Sequence, residues 1–546
     1  MFPRRKPECP AIGWAGGFGV LRRPICLPFG LAALAAVCLL TCGCTSISQY
    51  VHNGFKVGPD YAPPPAPVAK DWIDAADPRV RKESDDMSRW WTVFDDPALN
   101  SLICCAYRQN LSLRAMAFRV LEARAQVAID VGNLFPQTQT LTGDYTRSML
   151  SRETANGGAI SRRWYSQWDY GFNLSWELDF WGRLRRVVEG DRAAFEASVD
   201  AYDAALVTLL GDVATNYAQY RTTAQRIKYA EQNVALQQKT LKIAEGQFGA
   251  GVVDKVDVEQ ARSTLQQTEA TVPELQIAQR QYANALCTLI GIPPEDLERC
   301  LGSRPVPTAP PDVALGIPAD LLRRRPDVRE AERQAAAQSA QIGIAQADFY
   351  PHIFINGTIG VSAQRFPDLF REQALMGNVG PSFTWNILNY GRIANNARLQ
   401  DARFQELVAT YQNTVLNANQ EVENGLVQFL RAQQRTRFQR ASVESEQKAV
   451  DITLAQYTAG TVDLTRVTLL QQNLVTLQDT LAQAQGEIAL GLIQVYRAMG
   501  GGWQLRLTGG PPQSGGPPQA GGPPQAGGVP EEVPVPPATP IPGAGA

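Results

Sequence analysis

The chain carries one pattern twice, and that repetition bounds its fold before any single segment is assigned. Trp176-Glu177-Leu178-Asp179-Phe180-Trp181-Gly182-Arg183 returns as Trp385-Asn386-Ile387-Leu388-Asn389-Tyr390-Gly391-Arg392. Gln247-Phe248-Gly249-Ala250-Gly251-Val252-Val253-Asp254 returns as Gln456-Tyr457-Thr458-Ala459-Gly460-Thr461-Val462-Asp463. Both pairs share an offset of about 209 residues, and Leu134-Phe135-Pro136 and Phe349-Tyr350-Pro351 recur at nearly the same one. Landmarks in fixed order at near-constant spacing mark a duplicated structural unit.

Within each copy the hydrophobic period switches between strand and helix. From Trp168 to Phe180 every even position is apolar or aromatic, and the odd positions are Asp169, Gly171, Asn173, Ser175, Glu177 and Asp179. Such alternation gives a strand with one apolar and one polar face. The second copy repeats it with Val379, Phe383, Trp385 and Ile387 against Asn378, Ser382, Thr384 and Asn386. Ile353, Ile355, Ile359 and Val361 mark a third strand, with Phe354 out of pattern, and Leu141 and Tyr145 a weaker first one. Loops near Asn156-Gly157-Gly158 and Phe366-Pro367 would join them into two hairpins.

After each hairpin a long helix is expected. Leu206, Val213, Tyr220, Ile227, Val234 and Leu241 recur every seven residues, with Leu210, Tyr217 and Ala224 as the companion seam of a coiled coil. With no proline from Arg183 to about Gly246, that helix would reach roughly 95 Å. Phe404, Leu407, Tyr411, Val415, Ala418, Val422, Leu426 and Phe429 carry the second stripe. Glycines at 249, 251 and 460 stop the helices, and return helices run to about Leu289 and Met499. Four strands cannot close a barrel, and an open edge in lipid leaves unpaired backbone groups at several kcal/mol each. Copies of the chain must therefore seal the sheet. Two copies would give a filled barrel and three one with room for water.

Composition removes other classes. A net charge of -2 over 546 residues leaves no electrostatic footprint for nucleic acid. His52 and His352 are the only histidines, which argues against a histidine-based triad or metal site. No nucleophile–base–acid set, phosphate loop or metal-ligand spacing is present, so neither an enzyme nor a cofactor is expected. Beyond the N-terminus no apolar run reaches the roughly 20 residues of a spanning helix, whereas barrel strands average out to modest hydropathy. Among nine cysteines there is no CxxC pair. Cys104-Cys105 are adjacent, and Cys287 and Cys300 read either as a bridge or as free thiols.

The ends read as an address and a tail. Arg4, Arg5, Lys6, Arg22 and Arg23 precede an apolar stretch from Leu27 to Leu40, the pattern of a secretory signal. Thr41-Cys42-Gly43-Cys44 follows, a lipobox-like site with Cys44 as the acylated residue. Val57-Gly58-Pro59-Asp60-Tyr61-Ala62-Pro63-Pro64-Pro65 is too proline-rich for helix or central strand, and in the C-terminal tail Gly509-Gly510-Pro511-Pro512-Gln513 recurs at Gly515 and Gly521 with a six-residue period. The domains expected are a signal peptide over 1–43, an extended leader over 44–88, and a first repeat over 89–294. A linker over 295–318, a second repeat over 319–503 and a disordered tail over 504–546 complete the chain.

Trp90-Trp91-Thr92-Val93-Phe94-Asp95-Asp96-Pro97-Ala98-Leu99 resembles the opening signature of the lipoprotein branch of TolC-like outer-membrane efflux factors. Gly58-Pro59-Asp60-Tyr61 is similar to their leader, and Arg324-Arg325-Pro326-Asp327-Val328-Arg329-Glu330-Ala331-Glu332 to the start of their second repeat. That last stretch also reads as a plain helix start. The resemblance implies a mixed α and β fold: a trimeric 12-stranded membrane β-barrel, four strands per chain, continued by a periplasmic α-helical coiled-coil barrel. It implies an outer-membrane channel of a tripartite efflux system, working with a periplasmic adaptor and an inner-membrane transporter. Gly249, Gly251, Val252 and Asp254, with Gly460, Val462 and Asp463, would then be adaptor-docking tips. Gly182, Arg183, Gly391 and Arg392 would mark the barrel–tunnel junction. In Thr465-Arg466-Val467-Thr468-Leu469-Leu470 no carboxylate stands where relatives often place one, so Thr465 and Leu469 are candidates for an apolar gate, with ordinary coiled-coil core as the alternative. The duct of a type I protein-secretion system and a lipid-anchored coiled-coil protein remain as rival readings.

Overall fold

The computed structural model describes residues 47–83, 86–153 and 162–508. The expected signal peptide, Cys44, the loop at Asn156-Gly157-Gly158 and the tail from residue 509 onward lie outside the described residues.

The duplication is exact in length for the lead, long and return helices. Helix α1 (Pro97–Gln109) opens the first copy. It is followed by α2 (Leu111–Gly132), strands β1 (Thr138–Met149) and β2 (Trp164–Leu178), α3 (Arg183–Gly249) and α4 (Lys255–Leu289). The second copy has α5 (Pro326–Ala347), β3 (His352–Ala363), β4 (Leu375–Thr384), α6 (Arg392–Thr458) and α7 (Leu464–Ala498). The lead helices are both 22 residues, the long helices both 67 and the return helices both 35. The offset therefore changes only across the hairpins, between the lead and the long helices.

The chain divides into two compact units. The described part of the first holds residues 47–60, 133–153, 162–187 and 340–400. Its core is a four-stranded antiparallel sheet in the order β1-β2-β3-β4. Register places Leu141, Tyr145, Trp168, Tyr170, Phe172, Leu174, Trp176, Ile355, Ile359, Val361, Val379 and Phe383 on one face. Phe354 falls on the other face, opposite Glu177 and Ser382. The fourth strand ends at Thr384, paired with His352, the first residue of β3. Trp385 and Ile387, expected within that strand, lie past its last ladder partner, and the Trp385 indole donates instead to Phe349 O at 3.0 Å. Short turns at Phe366–Phe370 and Glu372–Ala374 form the loop between β3 and β4.

The leader is locked into this unit by one fully buried guanidinium. Arg186 donates to Val57 O at 3.2 Å and Gly58 O at 3.1 Å and pairs with Asp60 at 2.8 Å. Gly58 has φ +89° and lies against the backbone of Gly343, where a side chain has no room.

The described part of the second unit holds residues 61–83, 86–132, 188–339 and 401–508. Trp90, Trp91, Leu99 and Ile103 pack with Leu206, Leu210, Val213 and Tyr217 of α3, Val415, Val422, Leu426 and Phe429 of α6, and Leu492 and Val495 of α7. Asp96 caps α1 by accepting from Ala98 N at 2.9 Å, and the Tyr217 hydroxyl donates to its other oxygen. Residues 80–81 pair in parallel with 313–314, tying leader to linker. Past Ile227 the buried stripe of α3 departs from the expected heptad. Val234 and Leu241 are only half-buried, and Asn233, Gln237 and Thr240 are inside. Asn233 donates to Gln478 at 2.6 Å and Gln471 donates to Thr240 at 2.8 Å, so the polar face of α7 decides which residues of α3 are buried. Leu505 is buried and Arg506 holds Asp203 at 2.7 Å, so residues 504–508, assigned to the tail from sequence, belong to the fold. The four described cysteines are free thiols, with Cys287 buried and Cys300 exposed, so no Cys287–Cys300 bridge is formed.

Candidate functional site

The features that bear on function are a two-faced sheet, the turns that launch the long helices, and the two helical tips. On the polar face of the sheet, side chains hydrogen-bond across strands. Asn173 donates to Thr142 at 3.1 Å and accepts from Thr358 at 3.1 Å. Ser175 donates to Asn356 at 2.8 Å, and Asn356 donates to Ser382 at 2.7 Å. These rows of amides and hydroxyls link neighbouring strands as cross-strand pairs. They are the odd positions of β2 and the even positions of β3, so the alternation signalled the face but not the partners.

At the turns before α3 and α6, Gly182 and Gly391 take φ +78° and +80°. Arg183 forks onto Glu177 at 2.6 and 3.1 Å, and His352 meets the same carboxylate at 2.9 Å. Asp179 accepts from Leu184 N and Arg185 N, satisfying the first turn of α3. The second copy uses Asn389 there: its side chain accepts from Gly391 N and its carbonyl from Arg392 N.

The two tips are built alike and brought together. Gly251 and Gly460, at φ +73° and +75°, end α3 and α6 in the same left-handed cap. Gly251 N donates to Phe248 O and Val252 N to Gln247 O, and Gly460 N to Tyr457 O and Thr461 N to Gln456 O. Gln247 donates to Tyr457 O at 3.0 Å, joining one copy to the other. Ala244, Val258, Ala261, Leu454, Tyr457, Leu464 and Val467 form a small core beneath, with Val462 packed on it. Burial raises the Tyr457 hydroxyl pKa, with Asp257 adding to the shift. Gly249 closes the last turn of α3, while Val252 is 66% exposed. Asp463 caps α7 by accepting from Arg466 N at 3.1 Å; Asp254 stands at the matching place and makes no side-chain cap bond. Thr465 and Leu469 share the outer face of α7, with Leu469 56% exposed, rather than joining the core made by Leu464 and Val467.

A carboxyl pair was not singled out from the sequence. Asp191 on α3 hydrogen-bonds Asp130 on α2, and burial together with that bond pushes its pKa up to about 6. The residues are 61 positions apart, and nothing in their local sequence announces the contact.

A sheet polar and cross-linked on one face and apolar and largely uncovered on the other, in a chain whose second unit is built of long helical hairpins, is the pattern of a channel-wall protein. The chain belongs to the outer membrane efflux protein family, whose model matches residues 102–292 and 317–501. Nodulation protein T of Rhizobium leguminosarum bv. trifolii is 31% identical over 84% of this chain and 97% of its own length. The pyoverdine export outer membrane protein OpmQ of Pseudomonas aeruginosa is 28% identical over 86% and 97%. The solved outer-membrane channel OprN, 32% identical, matches with a TM-score of 0.77 over 82% of this chain and 99% of that one. The protein is an outer-membrane channel of an efflux system.

Proposed function

We propose that three copies close their sheets into a 12-stranded barrel continued by a helical tunnel, and that this duct passively conducts solutes delivered by an inner-membrane transporter through a periplasmic adaptor. One observation carries the reading: the sheet ends in two edge strands, β1 and β4, that no described strand pairs, while its apolar face stays exposed. Such an edge is tolerated in lipid only when further strands close it. Three copies rather than two leave a lumen, and the hydrogen-bonded polar face suits a wet wall.

Acylation at Cys44 would anchor the chain beside the leader that Arg186 holds. Gly249, Gly251, Val252 and Asp254 with Gly460, Val462 and Asp463 would receive the adaptor, because the paired tips present matched caps and an exposed valine. Gly182, Arg183, Gly391 and Arg392 would turn the chain from sheet into tunnel. Thr465 and Leu469, exposed together on α7, would line the constriction, which an apolar side chain can close by dewetting. A type I secretion duct would share this architecture; the Cys44 site and the Gly58-Pro59-Asp60-Tyr61 leader favour the efflux branch.

Planar-bilayer recording on the purified full chain tests the reading. The wild type should open discrete steps, and Leu469→Ser should raise the resting leak severalfold. No steps from the wild type would refute the channel, and an unchanged leak in the variant would refute the gate alone.

A further inference from the structure

One residue breaks the apolar face of the sheet. Of the described strand positions on that face, Arg147 alone is charged. It stands on β1 between Tyr145 and Met149, opposite Ser166, and its guanidinium lies 5.9 Å from the centre of the Trp164 ring. Asp144, the nearest carboxylate in β1, belongs to the opposite face, where it pairs with Asp169.

An arginine on a lipid-facing strand is costly at the bilayer midplane and nearly neutral at the interface. Its depth can be estimated. Thr138, at the base of the ladder, is nine residues from Arg147. At a rise of about 3.4 Å per residue and a tilt of about 40°, Arg147 stands roughly 23 Å above that base. A barrel's apolar band is about 25 Å tall, so the guanidinium reaches its upper edge.

The surroundings fit that depth. Tyr145 and Trp168 meet at 4.5 Å between ring centres, Phe366 packs edge-on to Trp168 at 5.2 Å, and Phe370 packs on Phe366 at 5.7 Å. Such aromatic girdles sit at the level of lipid headgroups. The exposed Arg365 begins the turn that carries Phe366 and Phe370; Arg371, at its end, is paired with Asp368 at 3.2 Å. Cations beside bare aromatic and aliphatic surface match an amphiphile with an anionic head and acyl chains.

We propose that Arg147, seconded by Arg365, forms a binding site for a phosphorylated lipid of the outer leaflet. The guanidinium would fork onto a headgroup phosphate while the acyl chains lie along Tyr145, Trp168 and Phe172. The outer leaflet of a bacterial outer membrane is rich in acylated saccharide lipids bearing phosphates, so bis-phosphorylated lipid A is the occupant of matching chemistry. The site rests on the reading that this sheet faces lipid.

Native mass spectrometry of the full chain in detergent, titrated with bis-phosphorylated lipid A, with its dephosphorylated form and with phosphatidylcholine, tests it. The wild type should bind bis-phosphorylated lipid A at least tenfold more tightly than the dephosphorylated form. Arg147→Gln should lose that preference, Arg147→Lys should keep part of it, and Arg365→Gln should weaken it severalfold. Equal lipid A binding by wild type and Arg147→Gln, or indifference to the phosphates, overturns the site. The same preparations are recorded in planar bilayers. A conducting Arg147→Gln with unchanged lipid A binding overturns this site alone, whereas a wild type without conductance overturns the channel reading with it.

Discussion

In the helical unit Leu206, Leu210, Phe429 and Leu492 are fully buried, each surrounded by side chains of the same chain. In the sheet, Ile359, Phe383 and Val379 are 58, 70 and 77% exposed although they share one continuous apolar face. Both regions carry large hydrophobic residues at the right period, so composition does not separate them. What differs is whether the chain contains the surface that covers them. Helices arranged as hairpins supply one another with partners. The four strands use one another for the ladder and leave most of one apolar face uncovered by the described chain, apart from Phe366 against Trp168. A helical core closed by its own sequence and a sheet left open is the contrast that the proposed lipid-facing barrel accounts for.

Truncations should separate the two regions most strongly. Phe429→Ala should cost about 3–5 kcal/mol, because it removes a ring from a closed core. Ile359→Ala should cost under about 1 kcal/mol in detergent, where the face is covered with or without the methyls. Thermal unfolding followed by circular dichroism reads both, and equal losses would break the comparison. The medium itself is tested next. Val379→Arg, on the bare face, should lower insertion into lipid vesicles by about 2–4 kcal/mol, while Asn378→Arg on the polar face should alter conductance and leave insertion nearly unchanged.

A pH series sharpens the view of the helical unit. The folded-state pKa of Asp191, about 6, lies above the unfolded value near 4, so the fold binds this proton more tightly. Its contribution is fully present below about pH 4 and is lost as pH rises through about 6. Asp191→Asn should flatten that part of the stability curve; an unchanged slope between pH 4 and 6 would show that the Asp130 contact does not hold the proton. Asp200, raised to about 6 chiefly by burial, and Glu330, also raised chiefly by burial, add slope of the same sign. The smallest effect is expected at the tips. Asp463→Ala should cost about 1 kcal/mol locally and Asp254→Ala almost none, since only Asp463 makes a cap bond. Amide exchange in the first turns of α7 and α4 distinguishes them.

Much of this was legible in the sequence because the signals are local. Gly251 and Gly460 stop helices through their own backbone freedom, and the alternation from Trp168 onward names its two faces without reference to neighbours. Failures came where a partner decides. Trp385 and Ile387 keep the alternating pattern, yet β4 stops at Thr384 because β3 offers no residue beyond His352. Val234 and Leu241 keep the heptad, yet the amides of α7 draw Asn233 and Thr240 inward. The Arg186 lock on Asp60 spans 126 positions, and the leader motif alone gave no hint of which cation would meet it. At Leu469 the pattern suited both a buried seam and a lining, and the residue lies outside the core that Leu464 and Val467 make within the chain.

The most direct test of the whole account is the mass of the particle formed by the full chain after extraction from membrane into mild detergent. Light scattering should give protein mass equal to three copies, with no smaller species at working concentration. A homogeneous single-chain particle that stays dispersed once the detergent is withdrawn would contradict it.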